Sequence, residues 1–127
     1  MLELTHALHR AGVPLLAGTD YTEGVGLHRE IELYVEAGVP ALEALRIATW
    51  NGARSLRATA EAGSIEVGKR ADLVLVEGDP SVRIADLRRA SLVWKAGVAY
   101  EPAAIYEAMG YKPFVPAAKI ESLEALK

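Results

Sequence analysis

The residues best placed to do chemistry stand at the end of a short apolar run. Residues 13–20 read Val-Pro-Leu-Leu-Ala-Gly-Thr-Asp, so that Thr19 and Asp20 close the run. An apolar run without polar alternation is typical of a strand buried on both faces, as in a parallel sheet or barrel. Because chemistry in such folds takes place at the carboxyl ends of the strands, Asp20 is a candidate catalytic residue. On spacing alone, the preference of aspartate for N-caps favours a role as the N-cap of the next helix.

The three histidines, His6, His9 and His28, are further candidates for metal binding or acid–base chemistry. His6 and His9 are three residues apart on a predicted helix, but no third ligand is near them in sequence, which favours two solvated side chains. His28 lies in the first turn of a later predicted helix, where it either lines a pocket or stays on the helix surface. The pair Gly24 and Gly26 lacks the third glycine of a dinucleotide-binding loop, so we reject that interpretation.

Helices and short strands must position these residues. Apolar residues at helical spacing predict helices over residues 2–11, 27–37, 40–56 and 102–109. Alternation and turn residues predict strands within residues 63–70, 71–77, 91–95 and 98–101, the last two joined as a hairpin about Ala96-Gly97. On the second helix we expect Leu27, Ile31, Tyr34 and Val35 to face the core, and Glu30, Glu32 and Glu36 to face water.

Composition restricts the class of protein. The chain has 127 residues, 51% hydrophobic, and a net charge of −3, which suits one ordinary domain with a core. Scattered lysines and arginines argue against a nucleic-acid partner, and no apolar run is long enough to span a membrane. The absence of cysteine excludes disulfides and thiol nucleophiles. We expect a soluble, cytoplasmic protein.

Ordered motifs resemble the carboxy-terminal end of the metal-dependent amidohydrolases, in particular the branch like imidazolonepropionase and Xaa-Pro dipeptidase. The resemblance covers about residues 1–101. Its motifs are Ala17-Gly18-Thr19-Asp20; Leu27-His28-Arg29-Glu30-Ile31-Glu32-Leu33 with Glu36-Ala37-Gly38; Glu43-Ala44-Leu45 with Ala48-Thr49-x-Asn51; Gly63-Ser64-Ile65-x-x-Gly68-Lys69-x-Ala71-Asp72-Leu73-Val74; and Val93-x-Lys95-x-Gly97.

The resemblance implies an incomplete α/β fold. Residues 1–60 would be the last strand and helices of a (β/α)8 barrel, with residues 13–20 as its eighth strand. Residues 61–101 would form part of a small β-sandwich domain, and residues 102–127 a C-terminal helix and tail. Within this frame Asp72 is interpreted as a packing residue that holds the turn before its strand.

The resemblance also implies a reaction. Asp20 would contact a divalent metal ion, usually zinc, and take the proton from its bound water, which then attacks an amide or another C–N carbonyl. The substrate would be a small amide-like or peptide-like molecule, and Tyr21, Glu23 and His28 are the candidates to face it.

The chain departs from the family pattern because the other metal ligands would all precede Met1. A (β/α)8 barrel usually needs about 250 residues, and catalytic zinc typically takes three protein ligands. We therefore expect a hydrolase segment that alone binds no metal and is inactive. A non-catalytic, self-associating module derived from the family is the alternative. In either case the unpaired strand and uncovered helix faces predict a homo-oligomer.

Overall fold

The computed structural model describes residues 1–20 and 25–118 and has a mixed α/β architecture. The helices are α1 (Leu2–Arg10), α2 (Val25–Glu36), α3 (Ala41–Arg46), α4 (Gly52–Ser55) and α5 (Pro102–Ala108), with a π-helical turn at Ile47–Asn51 and a 3-10 helix at Ile84–Arg89. The strands are β1 (Leu73–Val76), β2 (Ala90–Lys95) and β3 (Val98–Tyr100). Among the residues described, no helix has the length and apolar character to cross a membrane.

The first two predicted helices are confirmed, and each ends at a glycine with positive φ. Gly38, with φ of +90°, follows α2 and lies against α1. A Cβ atom on Gly38 would be 2.9 Å from Nδ1 of His6, and that nitrogen is 2.7 Å from the carbonyl oxygen of Ala37. Glycine at this position therefore permits both the left-handed backbone and the close approach of the two helices.

The predicted helix over residues 40–56 is present but changes its winding. It runs as α3, then the π-helical turn, then α4. Its buried residues Ala44 and Ile47 form a core cluster with Ile31 of α2 and with Val39. Partly buried residues around this core come from both halves of the chain, namely Leu15, Ala17, Tyr34, Val35, Ala48, Ile84 and Leu87.

The prediction of a doubly buried strand at residues 13–20 is wrong for the structure of this chain. No strand is formed there, and Val13 and Leu16 are 44% and 48% exposed. A strand is defined by its hydrogen bonds to neighbours, and within the described residues none lies beside this segment. We call residues 13–20 the site segment.

The predicted hairpin is confirmed. The three strands form an antiparallel sheet in the order β1-β2-β3, in which Leu73 pairs with Trp94 and Val93 with Tyr100. Ala96 and Gly97 join β2 to β3 with φ of +51° and +82°, the positive values that a type I′ turn requires.

The strand predicted within residues 63–70 is wrong. This stretch is a series of turns, in which Gly63 and Gly68 have φ of +91° and +92°. A Cβ atom on Gly63 would lie 2.6 Å from that of Ala53, so the chain can pass α4 this closely only with glycine.

Asp72 ties the start of β1 to the hairpin turn. Its Oδ1 accepts a hydrogen bond from the Ala96 N–H at 2.8 Å, and its Oδ2 accepts one from Arg70 Nε at 2.6 Å. The N–H of Gly97 donates to the carbonyl of Ala71 at 3.0 Å. The Ala96 N–H, followed by Arg70, lowers the pKa of the Asp72 carboxyl. Asp72 thus fills its predicted packing role through hydrogen bonds that join the start of β1 to the turn between β2 and β3.

An ion pair between Glu32 and Arg88 joins residues 1–60 to residues 61–101. The prediction that Glu32 faces water is therefore wrong. Arg88 of the 3-10 helix donates to Glu32 of α2 through Nε at 2.6 Å and Nη2 at 3.0 Å. The Glu32 side chain is 14% exposed and that of Arg88 is 24% exposed. Helical spacing misassigned Glu32 because its partner lies 56 residues away in sequence.

We predict that Arg88→Met lowers the free energy of unfolding at pH 7 by about 1–2 kcal/mol, as expected for a partly exposed charged hydrogen bond. Arg88 lowers the pKa of Glu32 in the folded chain. The stabilisation is therefore present above the unfolded glutamate pKa of about 4.3 and is lost as the pH falls through the lowered folded value.

Urea unfolding of both chains between pH 3 and pH 7 measures this difference. Arg46→Met is the matched control, because Arg46 is exposed and lies 3.6 Å from Glu43. A difference between the Arg88 variant and wild type that is no larger than the control's, or that does not shrink towards pH 3, would contradict the assignment.

Candidate functional site

Asp20 stands at the exposed end of the site segment, immediately before residues 21–24, which lie outside the described residues. Within the described part of the chain, no hydrogen bond or ion pair involves its carboxylate. Tyr21 and Glu23, two of the predicted substrate-facing residues, also fall outside the description.

Two side chains of α2 hold the backbone two to four residues before Asp20. Both carboxylate oxygens of Glu30 accept from the N–H of Gly18, at 3.2 and 3.1 Å. The hydroxyl of Tyr34 is 2.9 Å from the carbonyl oxygen of Leu16 and 2.5 Å from Oε1 of Glu30. We call these two side chains the α2 clamp. The prediction that Glu30 faces water is therefore wrong.

A third side chain reaches the site segment from the π-helical turn. Asn51 Nδ2 donates to the carbonyl oxygen of Leu15 at 3.0 Å. The π-helical turn contains Asn51, and insertions of this kind are frequent at functional sites. Side chains from two helical elements thus bind the backbone of residues 15–18, where a sheet would supply neighbouring strands.

His28 lies on α2, four residues before Glu32. Its Nδ1 atom is buried and has no hydrogen-bond partner among the described residues. Burial, and then the positive charge of Arg88, lower the pKa of the imidazole, although Glu32 opposes them. His28 is therefore neutral at pH 7, and its surroundings include the ion pair that joins the two halves.

Two cavities open beside the first half of the site segment. One of about 230 Å³ lies between residues 12–15 and the helix that contains Arg46 and Asn51. A second, of about 270 Å³, is lined by Pro14, Leu16 and Ser55 among others. Asp20 lines neither of them.

The described residues do not form a metal site by themselves. No group of three or more histidine, cysteine, aspartate or glutamate side chains in residues 1–20 and 25–118 is arranged to hold a metal ion. The Nδ1 atom of His6 is engaged by the Ala37 carbonyl oxygen, at 2.7 Å. Asp20 alone falls short of the three protein ligands typical of catalytic zinc.

Sequence reasoning missed the α2 clamp and Asn51 as parts of the site. A signal was present, because Glu30 and Tyr34 are four residues apart and therefore share one face of α2. The helix follows an apolar run in the chain, and the backbone N–H and C=O groups of that run need hydrogen-bond partners. The helical period does not reveal the hydrogen bond between Gly18 and Glu30, because these residues are 12 positions apart in sequence.

Comparison with known sequences identifies the family. The profile described as the amidohydrolase family matches residues 2–109. A 5-methylthioadenosine/S-adenosylhomocysteine deaminase of Thermoanaerobacter pseudethanolicus is 56% identical over 46 residues, 36% of this chain and 11% of that protein. An imidazolonepropionase of Micrococcus luteus is 35% identical over 83 residues, 63% of this chain and 20% of that protein. The chain therefore spans a fifth or less of these curated relatives.

Solved structures agree with the sequence comparison. A Xaa-Pro dipeptidase with bound methionine in its active site superimposes with a TM-score of 0.74 at 35% identity, over 79% of this chain and 25% of that one. Molinate hydrolase superimposes with a TM-score of 0.67 at 30% identity, over 77% and 26% of the two chains. Family profile, relatives and structural neighbours agree: the chain belongs to the amidohydrolase family.

Proposed function

We propose that the chain is the C-terminal segment of an amidohydrolase that hydrolyses an amide or another C–N bond, with Asp20 as the proton acceptor. The match to the amidohydrolase family over residues 2–109 is the observation that carries the proposal. It is supported by the exposure of Asp20 at the end of a segment that helix side chains bind. In this proposal residues 13–20 become the eighth strand of a (β/α)8 barrel when their neighbours are present.

The chemistry asked of Asp20 is proton transfer. A carboxylate exposed at a strand end can accept a proton from the attacking water once it is within hydrogen-bond reach, and it can later return that proton to the leaving nitrogen. A divalent ion, with zinc as the expected metal, would supply a water whose pKa is lowered towards about 7. Because the described residues fall short of a metal site, its remaining ligands would come from outside them.

The substrate class follows from the relatives. The names of those relatives are deaminase, imidazolonepropionase and Xaa-Pro dipeptidase, which point to C–N bonds in small molecules or short peptides. We assign Tyr21, Glu23 and His28 to the substrate side of the site. A neutral His28 suits this role, because its ring can offer one donor and one acceptor without a charge.

The division of the chain also belongs to this proposal. Residues 1–60 would contribute to the barrel, residues 61–101 to the small β domain, and residues 102–127 to a C-terminal extension. The Arg88–Glu32 ion pair would then be a contact between the barrel and the small domain.

A self-associating module is the second candidate, favoured by an apolar groove. The groove has a volume of about 660 Å³ and lies between α4 and β1. Leu56 and Ile65 line it while remaining 81% and 85% exposed, and Val74 of β1 is 53% exposed. Large apolar patches rarely stay uncovered on soluble monomers, so we propose a homodimer that buries this groove when the chain is alone.

The first prediction from this proposal concerns metal. The purified 127-residue chain should bind zinc no more tightly than a typical surface carboxylate, because Asp20 lacks two further ligands among the described residues. Isothermal titration with zinc is the measurement, with Asp20→Asn as the comparison. A stoichiometric submicromolar site that disappears in Asp20→Asn would overturn it.

The second prediction concerns turnover in the complete hydrolase that contains this segment. Asp20→Asn keeps the shape of the side chain but removes the proton acceptor, so kcat should fall by about 10²–10⁴-fold. Steady-state kinetics on a C–N substrate and circular dichroism of both proteins separate catalysis from folding. Glu43→Gln, which makes the same change of carboxylate to amide at a partly exposed helix position, serves as the control. Near-normal turnover in Asp20→Asn would remove Asp20 from the mechanism.

The third prediction concerns assembly. Sedimentation equilibrium of the chain at micromolar concentration should give a dimer, and Val74→Lys should raise its dissociation constant by at least about tenfold because the charge would lose its water on association. Val82→Lys is the matched control, since Val82 is 82% exposed and outside the groove. A folded wild-type monomer would eliminate the dimer.

A further inference from the structure

The ring of His28 has one enclosed nitrogen and one open nitrogen. Neither has a hydrogen-bond partner among the described residues, but only Nδ1 is shielded from water. The side chain as a whole is half-buried. A ligand that approaches His28 therefore meets Nε2 and does not reach Nδ1.

Two charged side chains act on this ring. Burial, and then the positive charge of Arg88, lower the pKa of His28, whereas the Glu32 carboxylate opposes them. Glu32 is only four residues from His28 on α2, yet its two oxygens accept from Arg88, at 2.6 and 3.0 Å, and not from the ring. The imidazole is therefore neutral at pH 7 and carries a single N–H.

Burial determines which nitrogen carries that proton. An N–H on Nδ1 would be a buried donor without an acceptor, and such donors are rarer in proteins than acceptors that lack a donor. A lone pair on Nδ1 is the better tolerated of the two arrangements. The proton then lies on Nε2, where it can be donated to water or to a ligand. The ring offers its donor and keeps its acceptor enclosed.

The contacts that hold the ring in this state lie between α2 and the 3-10 helix. The side chains of Glu32 and Arg88 are mostly shielded, with 14% and 24% exposed. Cζ of Arg88 also lies over the ring of Phe114, 5.9 Å from its centre. None of these contacts involves residues 13–20, so they do not depend on whether that segment pairs with neighbouring strands.

We infer that His28 is a specificity residue that recognises an acceptor oxygen of the substrate, a carbonyl or a carboxylate, through its Nε2–H. This inference rests on the substrate-facing position that the proposed function gives to His28. His28 is not a general base, because its one basic nitrogen is the enclosed Nδ1. Arg88 is a positioning residue, since it engages Glu32 and keeps the ring neutral.

Nitrogen-15 NMR of the His28 ring in the 127-residue chain tests the tautomer without any reference to catalysis. At pH 7 we expect the Nε2 resonance of a protonated nitrogen and the Nδ1 resonance of an unprotonated one. A proton on Nδ1, equal populations of the two tautomers, or a doubly protonated ring at pH 7 would overturn the inference.

Charge variants followed by the same NMR titration test the role of Arg88. Arg88→Met removes the charge that lowers the pKa of His28, so the midpoint of the ring titration should rise, whereas Glu32→Gln should lower it. Arg88→Lys keeps the charge and should keep the midpoint low. Arg46→Met is the control, because Arg46 is exposed and pairs with Glu43. If Arg88→Met does not fold, Glu32→Gln and Arg88→Lys decide; a midpoint that ignores the charge changes would remove Arg88 from this role.

Kinetics of the complete hydrolase test recognition. His28→Leu removes the donor and should raise KM by about tenfold with kcat and its pH profile unchanged, as expected for the loss of one binding hydrogen bond. His28→Gln supplies an amide N–H in place of Nε2–H and should restore most of the affinity, which a merely structural role would not predict. His9→Leu makes the same substitution on α1 and is the control. A fall in kcat of about 10²–10⁴-fold in His28→Leu, with a changed pH profile, would instead identify a general base.

The inference and the proposed function fail separately. If Asp20→Asn abolishes turnover while His28→Leu matches the His9→Leu control, the recognition role is wrong and the proposed function stands. If Asp20→Asn retains turnover, the proposed role of Asp20 fails, and the KM of His28→Leu still decides whether His28 recognises the substrate.

Discussion

The bond between the Glu30 carboxylate and the Gly18 N–H is the interaction on which the candidate site depends. A backbone segment without a neighbouring strand must have its polar groups satisfied in another way, because an unpaired group shielded from water is costly. Side chains from α2 and Asn51 of the π-helical turn do this for three groups, the carbonyls of Leu15 and Leu16 and the N–H of Gly18. The candidate catalytic carboxylate is therefore presented by helices.

The same helix connects the site to the second half of the chain. Tyr34 of α2 faces the site segment, whereas Glu32 of α2 bonds to Arg88 of the 3-10 helix. Between them Ile31 is 5% exposed and belongs to the core. Successive faces of one helix thus serve the site, the core and the ion pair, so a displacement of α2 would affect all three.

Local signals in the sequence were enough to predict much of the fold. Periodicity and glycine indicated the type and approximate ends of α1 and α2, Pro102 indicated the start of α5, and the Ala96-Gly97 pair indicated the hairpin. Each of these features depends on residues a few positions apart.

The site was predicted less completely, because its decisive contacts are not local. The position of Asp20 at a segment end followed from the apolar run. The prediction of a strand at residues 13–20 was wrong, because a strand requires neighbouring strands to pair with. Glu30 and Glu32 were assigned to the solvent face, because their partners lie 12 and 56 residues away in sequence. A helical period separates apolar from polar faces, but it does not tell a solvated carboxylate from one bound to a distant N–H or guanidinium.

The α2 clamp has a consequence for aggregation. In a parallel ladder, one residue of an incoming strand bonds the carbonyl of one residue and the N–H of the residue two positions later. On the site segment those groups are the carbonyl of Leu16 and the N–H of Gly18, and Tyr34 and Glu30 already bond both. Any strand that approached this edge, whether from an amyloid-like partner or from the barrel of the proposed complete hydrolase, would have to displace these two side chains, so the α2 clamp opposes strand addition only while the chain is alone.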